Sequence, residues 1–373
     1  MYLEHFAKTM RKYYPWLIIC IIGLAIFIAS CSGEDKDEYV PVDPESPVNV
    51  DLSTVPYAKL SDYKFFEGDM KLQIPALGVL PYEPISQLFT DYAHKKRFIW
   101  MPKGVKATYN GDGKVLEFPT GAVIIKTFYY DNVQPSNTTR IMETRLLIKK
   151  EGGWIFAEYI WNDEQTEATL TTEGGTKDVT FVNEYGNLKN VNYRFPSNSA
   201  CLTCHKIQDS AIPIGPKPQN LNSSYAYADG TKNQLAKWVE MGYLDSNYPA
   251  EINTVVDWKD TSKPLETRVR SYIDINCAHC HQEGSHCSYR PMRFAFSEST
   301  SNTNLGVCMT PQDPLNDGTS AIISPGRTAR SALFSRLNTA EESIRMPLLG
   351  RTIVHDEAVQ MIQEWINSLP NCN

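Results

Sequence analysis

The chain has 373 residues, 42% of them hydrophobic and 21% charged, with a formal net charge of −7 at pH 7. That length leaves room for two or three domains, and the apolar fraction suffices for a sizeable core. The acidic balance lacks the basic footprint of a nucleic-acid binder, which excludes DNA and RNA as partners.

Lys8, Arg11 and Lys12 precede an apolar run from Trp16 to Ile28 that is too short for a comfortable membrane span. The run ends in Ile28-Ala29-Ser30-Cys31, which is similar to the lipobox of bacterial lipoproteins. Residues 1–30 therefore read as a lipoprotein signal peptide and Cys31 as the lipidated N-terminus; the plainer alternative is an uncleaved signal anchor. Several acyl chains on one residue give lasting attachment where a single chain would not. Cleavage takes the net charge from −7 to about −9. Residues 31–50, with the acidic run Glu34-Asp35-Lys36-Asp37-Glu38 and Pro41, Pro44 and Pro47, read as a flexible acidic linker. The acidic run is similar to the signal that sends some lipoproteins to the outer face of the outer membrane, and it equally suits a solvated tether. The expected location is extracytoplasmic, on a bacterial membrane, either periplasmic or at the cell surface.

Residues 51–195 carry the signals of β-structure. Arg97–Trp100, Ala122–Tyr130, Arg140–Lys150 and Trp154–Trp161 read as strands, with Asn110-Gly111-Asp112-Gly113 as a hairpin turn and further turns at Gly174-Gly175 and Gly186. Regular strands with such punctuation predict an antiparallel β-sandwich. Glu143, Glu158, Asp163 and Glu164 lie on or beside these strands and read as solvated faces, so no catalytic constellation is expected.

After Pro196 the pattern changes to helices and loops. Lys232–Met241 places Leu235, Trp238 and Val239 on one face, with Gly242 as a stop. Pro264 opens a second helix, and Ser331–Leu337 reads as a third. Ala358, Met361, Ile362, Trp365, Ile366 and Leu369 form the stripe of a closing helix that Pro370 ends. The expected fold class is multidomain, all-β plus all-α: an N-terminal sandwich at 51–195 followed by two helical regions at 196–254 and 255–373.

Each of these two regions carries one short stretch of the same form, Cys201-Leu202-Thr203-Cys204-His205 in the first and Cys277-Ala278-His279-Cys280-His281 in the second, which makes them a first haem region and a second haem domain. Both read C-x-x-C-H, the attachment signature of a c-type haem. On a helical turn, positions i, i+3 and i+4 share a face, so two thiols reach two vinyl groups while the imidazole meets the iron. Cys201, Cys204, Cys277 and Cys280 are then the attachment residues, and His205 and His281 the proximal ligands of two covalent haems. Zinc or a redox dithiol is the competing reading of C-x-x-C.

Met346, in Arg345-Met346-Pro347, is the best second ligand for the haem on His281, because proline biases the preceding residue towards extended backbone. A thioether there would raise the reduction potential relative to two histidines. Met292, Met309, His286 and His355 are weaker rivals, and His279 reads as a surface residue. For the haem on His205, Met241 is the candidate, against the alternative that it merely packs beside Trp238; Met101 and His94 would serve only if the β-region folds back. Cys287, Cys308 and Cys372 remain, in a compartment where disulfides persist. Cys308 with Cys372 would tie down the C-terminus, and Cys287 with Cys308 is the alternative.

Helix, C-x-x-C-H, Met-Pro loop and closing helix together resemble a class I cytochrome c domain over about residues 255–373. Over about 55–372 the chain resembles the lipoprotein-type dihaem c-type cytochromes often found beside a parallel β-helix protein. The β-region stretches that carry this include Leu88-Phe89-Thr90-Asp91-Tyr92-Ala93, Lys96-Arg97-Phe98-Ile99-Trp100 and Trp161-Asn162-Asp163-Glu164-Gln165-Thr166. Those in the haem half include Phe195-Pro196-Ser197-Asn198, Pro213-Ile214-Gly215-Pro216, Asn276–His281 and Arg345-Met346-Pro347-Leu348-Leu349-Gly350. The resemblance implies a dihaem electron carrier, a redox partner protein and a parallel β-helix neighbour; Cys287 departs from the family's pattern. The expected function is a lipid-anchored carrier passing electrons between an extracytoplasmic partner and a membrane or surface acceptor. Two alternatives stand beside it: a dihaem peroxidase-like oxidoreductase with an open first haem, and a partner- or glycan-binding module carrying haem.

Overall fold

Strand formation follows the β-branched and aromatic runs, and pairing builds most of them into one sheet. In chain order the strands are β1 (Phe66–Glu67), β2 (Ile74–Pro75), β3 (Leu80–Pro81), β4 (His94–Trp100), β5 (Val123–Val133), β6 (Thr138–Lys150) and β7 (Gly153–Trp161). They continue as β8 (Ala168–Thr171), β9 (Gly175–Val182) and β10 (Leu188–Phe195). β3 to β10 form an eight-stranded antiparallel sheet whose main path runs β10-β9-β5-β6-β7-β8. β4 pairs along the first part of β5, from Trp100↔Val123 to His94↔Tyr129, and the register of β9 on β5 is the single pair Val133↔Phe181. The structure is a computed structural model that describes Pro15, Ile18, residues 44–315 and residues 317–372. Apart from Pro15 and Ile18, the signal peptide, Cys31 and the linker up to residue 43 lie outside the described residues.

The sheet is covered on both faces, and period-2 alternation sorts its residues. Phe98, Trp100, Val123, Ile125, Leu146, Ile148, Tyr159 and Trp161 pack with Leu60, Tyr63 and Phe65 of the preceding segment. Their neighbours Ile99, Ile124 and Leu147 point the other way, onto Leu221, Leu235, Trp238 and Leu244 from beyond residue 196. A third cluster holds Phe128, Tyr130, Phe181, Val191 and Tyr193.

The expected β-sandwich is therefore corrected to a single sheet whose second face is covered by the other half of the chain. A continuous apolar run such as Val123-Ile124-Ile125 signals burial on both sides but is silent about what does the covering.

The expectation of an all-α second half is overturned as well. Short helices α1 (Asn198–Cys204), α2 (Pro218–Leu221) and α3 (Gln234–Glu240) alternate with the hairpins β11–β12 (Lys206–Ile207 and Ser210–Ala211) and β13–β14 (Ser224–Tyr227 and Gly230–Asn233). Then come α4 (Leu265–Ile273), α5 (Asn302–Leu305), α6 (Ala332–Leu337) and α7 (Asp356–Ser368), separated by long irregular stretches. The class is mixed, and a helical dihaem cytochrome c module is not what the chain forms. Backbone bonds knit the halves together: Ala107 N to Tyr243 O at 2.9 Å and Ile85 N to Asn220 O at 2.9 Å. The chain divides into Met1–Glu45 and Ser46–Asn373, and every element named above belongs to the second unit. No described helix is long and apolar enough to cross a membrane.

Candidate functional site

Ser197 caps α1, its side chain accepting from Ala200 N, and the helix delivers Cys201, Cys204 and His205 to one face. His205 N closes the last turn on Cys201 O at 2.9 Å. The His205 ring packs on Phe156 of β7, with 5.1 Å between centroids. Its Nδ1 lies 2.8 Å from Ile212 O, which fixes Nδ1 as the protonated nitrogen and leaves Nε2 with a free lone pair. Burial pushes the imidazole down to about 3, so it stays neutral.

α4 runs through a π-helical turn, Asp274–Ala278, into the second motif. Cys280 N and His281 N both reach Cys277 O, at 3.1 and 3.0 Å, so these three side chains also share a face. The turn is held by the buried Asp274 carboxylate, which accepts from Lys217 Nζ at 3.1 Å, Gln219 Nε2 at 3.1 Å and Phe296 N at 3.0 Å. Lys217 and Gln219 lie just after the first motif, so one carboxylate sets the position of both. His281 is buried against Phe294, and desolvation pushes it down to about 4.

Each motif opens into its own cavity. Cys277, Cys280 and His281 line one of about 170 Å³, together with Met346, Met292 and His286. Cys201, Cys204 and His205 line another of about 110 Å³. The cavities share wall residues, among them Cys204, His279, Pro347 and Leu349.

The segment carrying Met346 is clamped in place. Met346 N donates to Arg336 O at 2.9 Å, and the Arg351 guanidinium donates to Met346 O, Ile353 O and Arg336 O at 3.0, 3.1 and 2.9 Å. Asp91, at the entry to β4, accepts from Thr352 N, Ile353 N and Thr352 Oγ1 at 2.6, 3.0 and 2.9 Å. Met346 and His281 thus face one cavity although 65 residues apart in sequence.

The remaining candidates fall differently. Met241 caps the C-terminal end of α3 and packs in the cluster of Leu235 and Trp238; it does not line the cavity of His205, so it is not brought to that motif. Met101 is buried in that same cluster, Met309 packs in the α4–α7 core, and His94 sits at the surface 4.0 Å from Asp131. His355 lines the cavity of His205, but its Nδ1 meets Tyr272 Oη at 3.0 Å and its Nε2 lies 3.9 Å from Glu357. Among the described residues, no thioether lines the cavity of His205; the imidazoles that line it besides His205 are those of His355 and His279. His279, expected at the surface, is half-buried between the two cavities with Nδ1 unpartnered. Cys308 is bonded to Cys372, and Cys287 is a buried free thiol. Cys31 lies outside the described residues.

Two of the carboxylates expected on solvated faces are buried instead. Glu143 accepts from Arg145 Nε at 3.0 Å and from Tyr193 Oη. Glu158, cross-strand partner of Arg145, is 2% exposed and lines the cavity of His205 with both carboxyl oxygens unpartnered. Burial, reinforced by Glu143, pushes Glu158 well above the usual carboxylate range and leaves it protonated at neutral pH. Asp163 and Glu164 are exposed as expected, Asp163 pairing with Arg140 and Lys177. Spacing alone gives no signal for Glu158, because its cover comes from elements remote in sequence.

No protein-family model, curated protein or solved structure matches the chain. The geometry must therefore speak for itself. Two helical turns each present two thiols and an imidazole to a cavity, one imidazole held in the metal-binding tautomer by a carbonyl. That donor set suits a covalently attached haem, with His205 set for it by the Ile212 carbonyl, whereas Nδ1 of His281 is buried without a partner. The same region offers a smaller site: Cys204, His279 and Cys280 place three donor atoms within 4.8 Å of one another, a spacing suited to a single soft metal ion.

Proposed function

We propose that this chain is a lipid-anchored, extracytoplasmic dihaem c-type electron-transfer protein. The observation that carries the reading is the repeated arrangement itself: two C-x-x-C-H turns, each facing its own cavity. Cys201 and Cys204 would hold one haem and Cys277 and Cys280 the other, with His205 and His281 on the irons. The haem iron supplies one-electron chemistry, while the protein sets its potential through ligands and burial. Met346, which lines the same cavity as His281, would complete the second site with a thioether, its loop held by Arg351 and Asp91. Replacing Cys277 and Cys280 with alanine should halve the covalent haem content and abolish the weak red absorption band of methionine-ligated ferric haem. Replacing Cys201 and Cys204 should halve the content and keep that band. Unchanged haem content in either variant would refute the assignment.

A second reading draws on the cavity of His205. Among the described residues no thioether lines that cavity, while Arg145 and the protonated Glu158 do. Such a site would bind an exogenous small ligand and do chemistry, as in a dihaem oxidoreductase with an open first haem. The ferric spectrum separates the two: one high-spin centre favours catalysis, and two low-spin centres favour a carrier.

A further inference from the structure

The two motifs are separated by 71 residues in sequence but are not separate in space. Cys204 Sγ, Cys280 Sγ and a ring nitrogen of His279 all lie within 4.8 Å of one another. Cys280 Sγ also lies 3.8 Å from Thr203 O. The loops leaving the two motifs are bonded to each other, Gln208 N donating to Gly284 O at 2.7 Å. Asp274, at the start of the second motif's turn, holds Lys217 and Gln219 from the first motif's side. The second cysteine of each motif is thus fixed against its counterpart by bonds on both sides.

We infer that Cys204, Cys280 and His279 form a junction that brings the two haems edge to edge, so that they act as one electronically coupled pair. This rests on the haem reading of both motifs and adds a geometric consequence to it. In attachment, each thiol S–H adds across a vinyl C=C: sulfur bonds to the inner carbon, hydrogen ends on the outer one, and nothing is oxidised or reduced. That inner carbon is bonded directly to the porphyrin ring, so each Sγ sits two bonds from the ring it carries. Two sulfurs this close bring the two points of attachment, and with them one edge of each ring, to the same place. His279, half-buried with Nδ1 unpartnered, stands beside the sulfurs. Electron exchange between the sites then outpaces exchange with a partner, and adding an electron to one haem makes the second harder to reduce. The single-metal reading of these donors is incompatible with the junction, because thioether formation consumes both thiols.

The test uses the full-length holoprotein, after a pyridine haemochrome assay has counted its haems. Circular dichroism in the Soret region should show a couplet of opposite signs that is absent from the summed spectra of the Cys201→Ala/Cys204→Ala and Cys277→Ala/Cys280→Ala variants. Should those variants fail to fold, the unaltered protein suffices. Its fully ferric EPR signals should be broadened by their mutual interaction and sharpen on half-reduction. Fewer than two haems per chain would sink the reading of the motifs. Two haems with no couplet and no change in EPR linewidth on half-reduction would leave that reading intact and overturn the junction.

Discussion

Asp91→Ala should loosen the loop that carries Met346 and cost about 3–4 kcal/mol of stability. The carboxylate accepts three bonds from Thr352 and Ile353, and it is 2% exposed, so water cannot replace it. A buried donor left unpaired costs about 1–3 kcal/mol, and alanine strands two backbone N–H groups. Asp91 also has φ of 47°, in the left-handed region that aspartate and asparagine tolerate better than alanine, which adds about 1 kcal/mol. Against these stands the cost of burying the charge, which outweighs its hydrogen bonds and raises the carboxyl above its ordinary range. Asp91→Asn removes that cost and keeps an acceptor oxygen and the backbone preference, so it should change stability by no more than about 1 kcal/mol. Urea unfolding of both variants gives the magnitudes, and the red absorption band of the ferric protein reports whether Met346 stays on the iron. Equal losses for Ala and Asn, or a destabilised Ala variant with an unchanged band, would refute the coupling between Asp91 and the loop.

Two further predictions concern the scaffold. Glu158 keeps its proton through neutral pH in the folded chain, whereas the unfolded chain releases it near the ordinary 4.5. Stability should therefore fall as pH rises above about 4.5, by at most about 1.4 kcal/mol per unit, until the folded group itself ionises. Glu158→Gln should remove that slope between pH 5 and pH 8 in urea titrations; an unchanged slope would mean that the carboxyl ionises freely in the fold. Converting Cys308 and Cys372 to serine opens a loop of 64 residues and should cost about 4 kcal/mol by the chain-entropy estimate. The parent in reductant should unfold at the same temperature as that variant, and a reductant-insensitive parent would contradict the pairing.

What the sequence could show was whatever is local. The α7 stripe of Ala358, Met361, Ile362, Trp365 and Ile366 is buried throughout, and the β4–β7 runs sit within a few residues of their observed ends. The C-x-x-C-H turns were readable because three spaced residues on one turn define them. Partnership between distant segments was not readable. Ile99 and Ile124 show that a second sheet face is buried, but only the folded chain shows that Leu235 and Trp238 cover it. Met241 packs beside Trp238 because α3 has been drawn onto the sheet, which removes it from the first motif. Glu158 sits on a strand with the look of a solvated face and instead lines the cavity of His205. His279 looked exposed because its neighbour across the junction, Cys204, lies 75 residues away.

The most direct test of the central claim is intact-mass spectrometry of the exported, mature protein together with its pyridine haemochrome spectrum. The account predicts a mass equal to the processed lipoprotein plus two haems, both retained after denaturation and both giving the spectrum of thioether-linked haem. A mass equal to the bare polypeptide, or to the polypeptide with one zinc ion, would contradict it.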